Sequence, residues 1–141
     1  MNKKKSNLDE LTILGKPAKP SKKLEAFPNE YRDRYYVITI ETDEFTCLCP
    51  VTGQPDFADI TVEYVPDEKV VESKSLKLYY WSYRNQGIFH EEVVNKILDD
   101  LVKALDPHWC KVIGVFNARG GLGITVETEH TKTPDAVPEF F

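Results

Sequence analysis

The clearest pattern in the chain is a stripe of apolar residues that recurs every three or four positions between His90 and Leu105. This spacing places the apolar side chains on one face of an α-helix. Glu91 and Glu92 lie in the first turn, where the helix dipole favours acidic side chains, and Pro107 ends the pattern. The stripe comprises Val93, Val94, Ile97, Leu98, Leu101, Val102 and Leu105. The sequence therefore predicts one long amphipathic helix.

Other segments alternate apolar and polar residues or are rich in β-branched and aromatic residues, which is typical of β-strands. We predict five strands, at Arg34–Glu41, Ile60–Tyr64, Leu76–Tyr80, Lys111–Asn117 and Gly123–Glu129. Ala118–Leu122 contains two glycines and predicts a hairpin between the last two strands. Two prolines and a glycine interrupt Phe45–Asp56, and we interpret that segment as an ordered loop.

The first 30 residues differ from the rest of the chain because they are rich in Lys and Pro. Leu11–Leu14 is their only apolar patch, so folding this segment alone would bury too little to offset its ordering entropy. We predict an irregular leader over residues 1–30 and a single domain over residues 31–141. Several strands with one long helix between them predict an α+β fold with an antiparallel sheet.

Composition and charge narrow the classes of function. The chain has 141 residues and a net charge of −5, and residues 1–24 carry +5 of their own, so the remainder carries −10. An acidic body is a poor receptor for nucleic acid, and the apolar runs are too short to span a membrane. Three cysteines are too few for a disulfide scaffold and fit a reducing cytoplasm.

Cys49 and Asp56 are the first candidates for chemistry. Cys49 lies on the loop Cys47–Asp56, and a loop cysteine can be a nucleophile if its thiolate is stabilised. It can equally be a small packing residue. Asp56 precedes Phe57, and a carboxyl group desolvated by an aromatic neighbour can serve as a general acid. The alternative is a turn aspartate that caps its own backbone.

Three further segments carry polar residues without a specific motif. Glu72–Tyr79 contains two lysines three positions apart, which read as solvated lysines at the start of a strand. Glu91 is either a partner of the helix dipole or an acceptor for the N–H edge of a guanine-like ring. Gly120–Gly123 precedes a strand rather than a helix, so it is not a Rossmann dinucleotide fingerprint.

Taken together, three segments in the same order resemble the QueF family of NADPH-dependent nitrile reductases, which act in queuosine biosynthesis. The segments are Leu48–Ala58, Glu72–Tyr79 and Arg84–Glu91, and the resemblance extends from about Tyr35 to Glu129. The chain length is similar to that of the short, single-module form of the family.

The resemblance implies a reaction and a role for each matching residue. Cys49 would attack the nitrile carbon of 7-cyano-7-deazaguanine to form a thioimide, and Asp56 would protonate the nitrile nitrogen. NADPH would reduce the adduct, and two equivalents would be consumed for each primary amine formed. By the same resemblance, the substrate-binding residues are Val71, Glu72, Ser73, His90 and Glu91, and the residues that contact NADPH are Ser73, Lys74, Arg119 and Gly120.

The resemblance also implies a tunnelling fold, in which small antiparallel sheets of several subunits join into a barrel. We therefore expect a homo-oligomer, a decamer of two pentamers. Cys49 and Glu91 of one pocket should come from different chains, or at least lie within reach of a neighbouring chain. Zinc-dependent relatives have Cys-x-x-His on the loop where this chain has Cys49–Thr52, so no metal is expected. Two alternatives remain: a cyclohydrolase-like hydrolase on the same fold, and a non-catalytic module that binds a purine-like ligand.

Overall fold

The computed structural model describes residues 18–139 as an α+β fold, which confirms the predicted class. Its strands are β1 (Ala26–Pro28), β2 (Ile38–Leu48), β3 (Pro55–Val65), β4 (Lys69–Val71), β5 (Trp109–Arg119) and β6 (Leu122–Thr131). Its helices are α1 (Ser73–Trp81) and α2 (His90–Leu105), followed by a 3₁₀ turn at Pro134–Ala136. The predicted patch Leu11–Leu14 lies outside the described residues.

The main sheet has four antiparallel strands in the order β2-β3-β5-β6, and α2 packs across β5 and β6. β3 and β5 are paired on both sides. Within residues 18–139, β6 pairs only with β5, and the outer edge of β2 has one bridge, from Leu48 to Gly87. These two outer edges present unpaired backbone groups, which are a template for pairing with another chain. A second, two-stranded sheet joins β1 to β4.

The predicted long helix is confirmed from His90 to Leu105. Six of its seven apolar stripe residues are buried, and Val102 is half-buried. Each fully buried aliphatic side chain contributes about 1.5–3 kcal/mol of transfer free energy. The helix lies so close to the sheet that a Cβ atom on Gly114 of β5 would come within 2.6 Å of a Val94 methyl group. Gly114 is therefore required by close approach between helix and sheet.

The strand predicted at Leu76–Tyr80 is wrong, because this segment belongs to α1. The Glu72 carboxylate caps the helix by accepting hydrogen bonds from the N–H groups of Lys74 and Ser75, at 2.8 and 2.7 Å. Leu76, Tyr79 and Tyr83 are buried, and their spacing of three and four positions is helical. The alternation of apolar and polar residues over the five positions Leu76–Tyr80 is coincidental. The helical period becomes visible only when the sequence is read as far as Tyr83.

The strands β2 and β3 are longer than predicted, so Phe45–Asp56 is not one continuous loop. The ladder between the two strands runs to Leu48 opposite Pro55, which leaves only residues 49–54 as the connection. Pro55 is tolerated because it is the first residue of its strand. The leader prediction is also wrong at Ala26–Pro28, which pairs with β4 through contacts that local composition does not encode.

Candidate active site

Residues 49–54 form a closed turn at the end of β2. The Cys49 N–H donates to the Gln54 carbonyl at 2.8 Å, and the Gly53 N–H donates to the Cys49 carbonyl at 2.9 Å. Gly53 has φ +71°, a conformation that glycine adopts without a steric penalty. The β2 end is held in turn by the Leu48 backbone, which is hydrogen-bonded to Gln86 and Ile88 at 2.9 and 3.0 Å. The turn therefore fixes the position of Cys49.

The Cys49 thiol is partly exposed, and its pKa is lowered from the usual 9.0 to about 7. The largest cause is the hydrogen bond of the Thr52 hydroxyl to the sulfur, followed by the N–H groups of Thr52 and Val51. The Arg119 side chain adds a smaller hydrogen bond. These donors stabilise the thiolate, which is the nucleophilic form of cysteine.

The other two cysteines are buried, and their pKa values are raised rather than lowered. Cys47 and Cys110 are fully buried, and burial raises the pKa of Cys47 to about 11 and that of Cys110 to about 12. A buried thiol in apolar surroundings remains protonated and inert. Among the three free cysteines of the chain, Cys49 is therefore the one prepared for nucleophilic chemistry.

Asp56 is buried beside the turn, with only 4% of its side chain exposed. One carboxyl oxygen contacts Arg119 Nη1 at 2.5 Å, and the other contacts His90 Nε2 at 3.1 Å. The alternation of β3 points Asp56 inward and leaves Phe57 49% exposed. The expectation that Phe57 desolvates Asp56 is therefore wrong: the fold around Asp56 buries it, and its neighbour in sequence faces the other side of the sheet.

His90 and Glu91 open helix α2 next to these groups. The His90 ring stacks on Phe116 of β5, with the ring centroids 3.9 Å apart, and this contact orients its Nε2 atom toward Asp56. The Asp56, His90 and Arg119 side chains thus come from β3, α2 and β5. They lie close together because β3 pairs with β5 and because α2 packs on the sheet.

These groups line one cavity of about 250 Å³. Its lining comprises Cys49, Pro50, Asp56, Phe89, His90, Glu91, Asn117, Arg119, Leu122 and Ile124. Both Cys49 and Glu91 thus line one pocket of a single chain, which contradicts the expectation that they come from different chains. The volume is below the range of roughly 300–1,000 Å³ that is usual for small-molecule sites. The cavity of one chain is therefore small for a small-molecule site.

The remaining predicted site residues lie elsewhere. Val71 ends β4 with its side chain in the core, and Glu72 is engaged in capping α1, which lowers the pKa of its carboxyl group. Ser73 lines a separate groove of about 470 Å³ between β2 and α1, and Lys74 is exposed beside it. Gly120 follows Arg119 in the hairpin turn, with φ +57°. The structure therefore does not bring Val71–Lys74 to Cys49 within one chain.

Sequence reasoning missed two residues that shape the site, Thr52 and Phe116. The position of Thr52 three residues after Cys49 is a signal in the sequence, because a tight turn returns a side chain at that spacing to the sulfur. Phe116 had no local signal, since its contact with His90 depends on tertiary packing.

Two properties of the described part of the chain bear on other kinds of site. Within residues 18–139, no group of three or more His, Cys, Asp or Glu side chains is arranged to hold a metal ion. In the same range, no helix has both the length and the apolar character needed to cross a bilayer.

Known proteins share both the sequence and the fold. Residues 55–135 match the family model described as QueF-like protein. The chain is 63% identical over 126 residues to the NADPH-dependent 7-cyano-7-deazaguanine reductase of Syntrophus aciditrophicus (strain SB), with 89% of this chain and 90% of the relative covered. The protein of the same name from Thermomicrobium roseum (strain ATCC 27502 / DSM 5159 / P-2) is 58% identical over 119 residues, which cover 84% and 93% of the two chains.

A solved structure is also similar: the archaeosine synthase QueF-Like in the apo form matches with a TM-score of 0.64 and 26% sequence identity. The match covers 70% of this chain and 96% of that one. The family-model match spans more than half of the chain, and the curated relatives match it along most of their length. This confirms the resemblance carried by the three sequence motifs, and the chain belongs to the QueF-like protein family.

Proposed function

We propose that this chain catalyses the NADPH-dependent reduction of the nitrile group of 7-cyano-7-deazaguanine to the aminomethyl group, in queuosine biosynthesis. The observation that carries the proposal is the cavity that joins a stabilised Cys49 thiolate to the buried Asp56 carboxyl group. Relatives at 63% and 58% identity bear the name of this reductase. Family membership indicates the identity of the substrate, and the cavity contains groups suited to nitrile reduction.

Different residues of the cavity carry out the attack and the proton transfer of the first step. The Cys49 thiolate attacks the nitrile carbon, a carbon–sulfur bond forms, and one pair of π electrons moves to the nitrogen. Asp56 delivers a proton to that nitrogen, which gives a neutral thioimide on Cys49. His90 Nε2 lies 3.1 Å from the Asp56 carboxyl group and is placed to resupply the proton. After reduction at carbon, Cys49 leaves as a thiolate, which its low pKa favours.

Two positively charged side chains are placed to bind the phosphate groups of NADPH. NADPH, when bound, supplies hydride, and two equivalents provide the four electrons that separate a nitrile from a primary amine. Arg119 is at the exposed hairpin end of the cavity and Lys74 is exposed at the start of α1, so both can meet phosphate groups. The first N–H groups of α1 already bond to Glu72, so side chains rather than the helix terminus would hold phosphate there. Ser73 and Gly120 adjoin these two cations.

The first residues of α2 recognise the substrate. Glu91 lines the cavity and can accept two hydrogen bonds from the N–H edge of the deazaguanine ring, while His90 borders the same space. The two alternatives predict different behaviour. A purine-binding module needs Glu91 without the stabilised thiolate, and a cyclohydrolase-like hydrolase needs a histidine at the position of Thr52.

We further propose a homo-oligomeric barrel, a decamer of two pentamers, in which each active site is shared. The small cavity, the separate position of Val71–Lys74 and the outer edges of β2 and β6 support this arrangement. Pairing β2 of one chain with β6 of the next would continue the sheet. Val71, Glu72 and Ser73 of the neighbour would then complete the substrate pocket. The three free thiols are consistent with a cytoplasmic location.

The direct test mixes protein, 7-cyano-7-deazaguanine and NADPH and follows the absorbance of the reduced cofactor. We expect two NADPH consumed for each amine formed, and a ratio of one with an accumulating imine or aldehyde would contradict the proposal. Mass spectrometry without NADPH should find one adduct, on the peptide that carries Cys49. Reversible ligand binding with no adduct would favour the binding module instead.

The shared site is tested by subunit exchange between two inactive variants. If Cys49 and Lys74 of one site come from different chains, mixing Cys49→Ala with Lys74→Glu creates some sites with both groups, and activity returns. The matched control mixes Cys49→Ala with Glu91→Ala. Both of those residues line the cavity of one chain, so this mixture should remain inactive. A stable, fully active monomer of 16.2 kDa in light scattering would refute the shared site.

A further inference from the structure

Strand β5 contains one extra residue just before Arg119. Phe116 pairs with Ile124 and Arg119 pairs with Leu122, so two residues of β5 lie opposite one residue of β6. Regular alternation along a strand would turn Phe116 and Arg119 to opposite faces of the sheet. An extra residue of this kind is a β-bulge, which redirects the side chains next to it. The bulge therefore brings Arg119 to the cavity, on the face of β5 where Phe116 stacks on His90.

Each carboxyl oxygen of Asp56 has one of these neighbours as its partner. Arg119 Nη1 donates a hydrogen bond to Oδ1 at 2.5 Å, and His90 Nε2 lies 3.1 Å from Oδ2. The two partners differ chemically, because a guanidinium group has only donors, whereas an imidazole nitrogen either donates or accepts. A proton on Asp56 can therefore be shared with His90 at Oδ2, but it cannot face Arg119 at Oδ1.

We propose that Arg119 is a positioning residue for the first step of the reaction, because it occupies Oδ1 of Asp56 and confines the acidic proton to Oδ2, opposite His90. The inference rests on the proposed function in one respect, namely that Asp56 protonates the nitrile nitrogen. As Cys49 adds to the nitrile carbon, the nitrogen takes up a π electron pair and the proton from Oδ2. Asp56 is left as a carboxylate, and the Arg119 cation stabilises the charge that forms there.

This role is compatible with a contact between Arg119 and NADPH. A guanidinium group has five N–H donors, and the contact with Asp56 is made through Nη1. The Arg119 side chain is 38% exposed, so its other donors remain accessible to a phosphate group. The two roles are separable by experiment, because formation of the thioimide on Cys49 consumes no NADPH.

Other charged or titratable groups also lie near Asp56. Cys49 and Glu91 line the same cavity, and the buried Cys47 thiol lies nearby on β2. Thr52 is the largest cause of the lowered pKa of Cys49, and Arg119 adds a smaller contribution. Removal of Arg119 therefore affects the thiolate as well as the acid, and the experiment has to separate the two effects.

The experiment compares two reactions of Cys49 in the full-length protein without NADPH. Thioimide formation with 7-cyano-7-deazaguanine, followed by intact mass spectrometry, needs both the thiolate and the acid, whereas alkylation by iodoacetamide needs the thiolate only. The ratio of the two rates at one pH therefore cancels the fraction of thiolate. We expect Arg119→Gln to lower this ratio about tenfold, because a neutral amide neither confines the proton nor stabilises the carboxylate.

Two further variants define the cause. Arg119→Lys keeps a charged group that only donates, and it should retain more of the ratio than Arg119→Gln. Arg84→Gln is the matched control, because it removes a positive charge that stacks on Trp81 and does not line the cavity. Its ratio should equal that of the wild type.

A double variant tests whether Arg119 acts through Asp56. In the Asp56→Asn background, Arg119→Gln should cause no further fall in the ratio, because the group that it positions is already absent. Two results would overturn the proposal: an Arg119→Gln ratio that equals or exceeds the wild-type ratio, and a further fall of similar size in the double variant. A wild-type protein that forms no adduct would refute the proposed function itself, whereas an adduct with an unchanged ratio would refute only the role of Arg119.

Discussion

Cys47 and Cys49 are two residues apart at the end of β2, yet the fold gives them opposite properties. Cys47 is fully buried with a pKa raised to about 11, whereas Cys49 is partly exposed with a pKa lowered to about 7. The first lies within the sheet, and the second lies on the turn just beyond it. The reactivity of a cysteine is therefore decided by burial and by nearby hydrogen-bond donors.

The comparison extends to the polar groups around each thiol. Near Cys47, the Sγ atom has a long contact of 4.0 Å with the Ile88 carbonyl, and burial followed by the negative charge of Asp56 raises its pKa. Near Cys49, hydroxyl, backbone N–H and guanidinium groups all donate to the sulfur. The end of β2 thus places Cys47 in the core and Cys49, two residues later, in the reactive site.

The largest difference in activity should be between the variants that remove the Cys49 sulfur and the Cys47 sulfur. Cys49→Ala should abolish nitrile reduction and adduct formation, because no other thiol in the cavity can attack, while the free energy of unfolding changes little. Cys47→Ala should keep the activity of each folded molecule. Steady-state NADPH oxidation and urea unfolding measure the two properties. An adduct located on Cys47, by fragmentation of the peptide that carries both cysteines, would reverse the assignment.

A smaller but still large difference should appear in the pH dependence of thiol reactivity. The thiolate is the reactive form, so Cys49 alkylation should rise as the pH passes through about 7 and level off above it. Near neutral pH, Cys47 in the folded protein should react at least roughly a thousandfold more slowly. Fragmentation of the peptide that carries both cysteines, after a timed reaction, compares their labelling. Urea-unfolded protein is the control in which both should react alike.

The free energy of unfolding should fall on substitution of Cys47 and should hardly change on substitution of Cys49. Cys47→Ser places a hydroxyl group in a fully buried apolar site and should lower the free energy of unfolding by about 1–3 kcal/mol. The matched variant Cys49→Ser should have little effect on stability, because the side chain there is partly exposed. Urea titrations of both variants test the difference, which equal losses would contradict.

The smallest effect should come from a change next to the turn. A Cβ atom added at Gly87 would lie 3.2 Å from the Pro50 Cα atom, tighter than ordinary contact. Gly87→Ala should therefore shift the turn slightly and lower activity by a few-fold. Gly123→Ala is the control, since its Cβ would meet nothing within 4 Å. Equal activities in the two variants would indicate that the Cys49 position tolerates this displacement.

The sequence by itself determined the elements whose period is repeated over a long window and the motifs that are local. Helix α2 has four turns of consistent apolar spacing, and the β5–β6 hairpin has a glycine turn between two alternating strands, so both were predicted correctly. The short helix α1 was missed because five residues fit either period, and the strand β1 was missed because its partner lies far along the chain. Local periodicity is reliable only when it is long.

Tertiary structure decided which of the candidate residues meet. Asp56 and Arg119 are 63 residues apart in sequence, and Arg119 donates a hydrogen bond to Asp56 because β3 and β5 are neighbours in the sheet. His90 joins them because α2 packs on the same sheet, whereas Ser73, which belongs to an equally clear motif, faces another groove. Sequence motifs name residue types suited to a chemistry, but strand order and helix packing set the distances on which that chemistry depends.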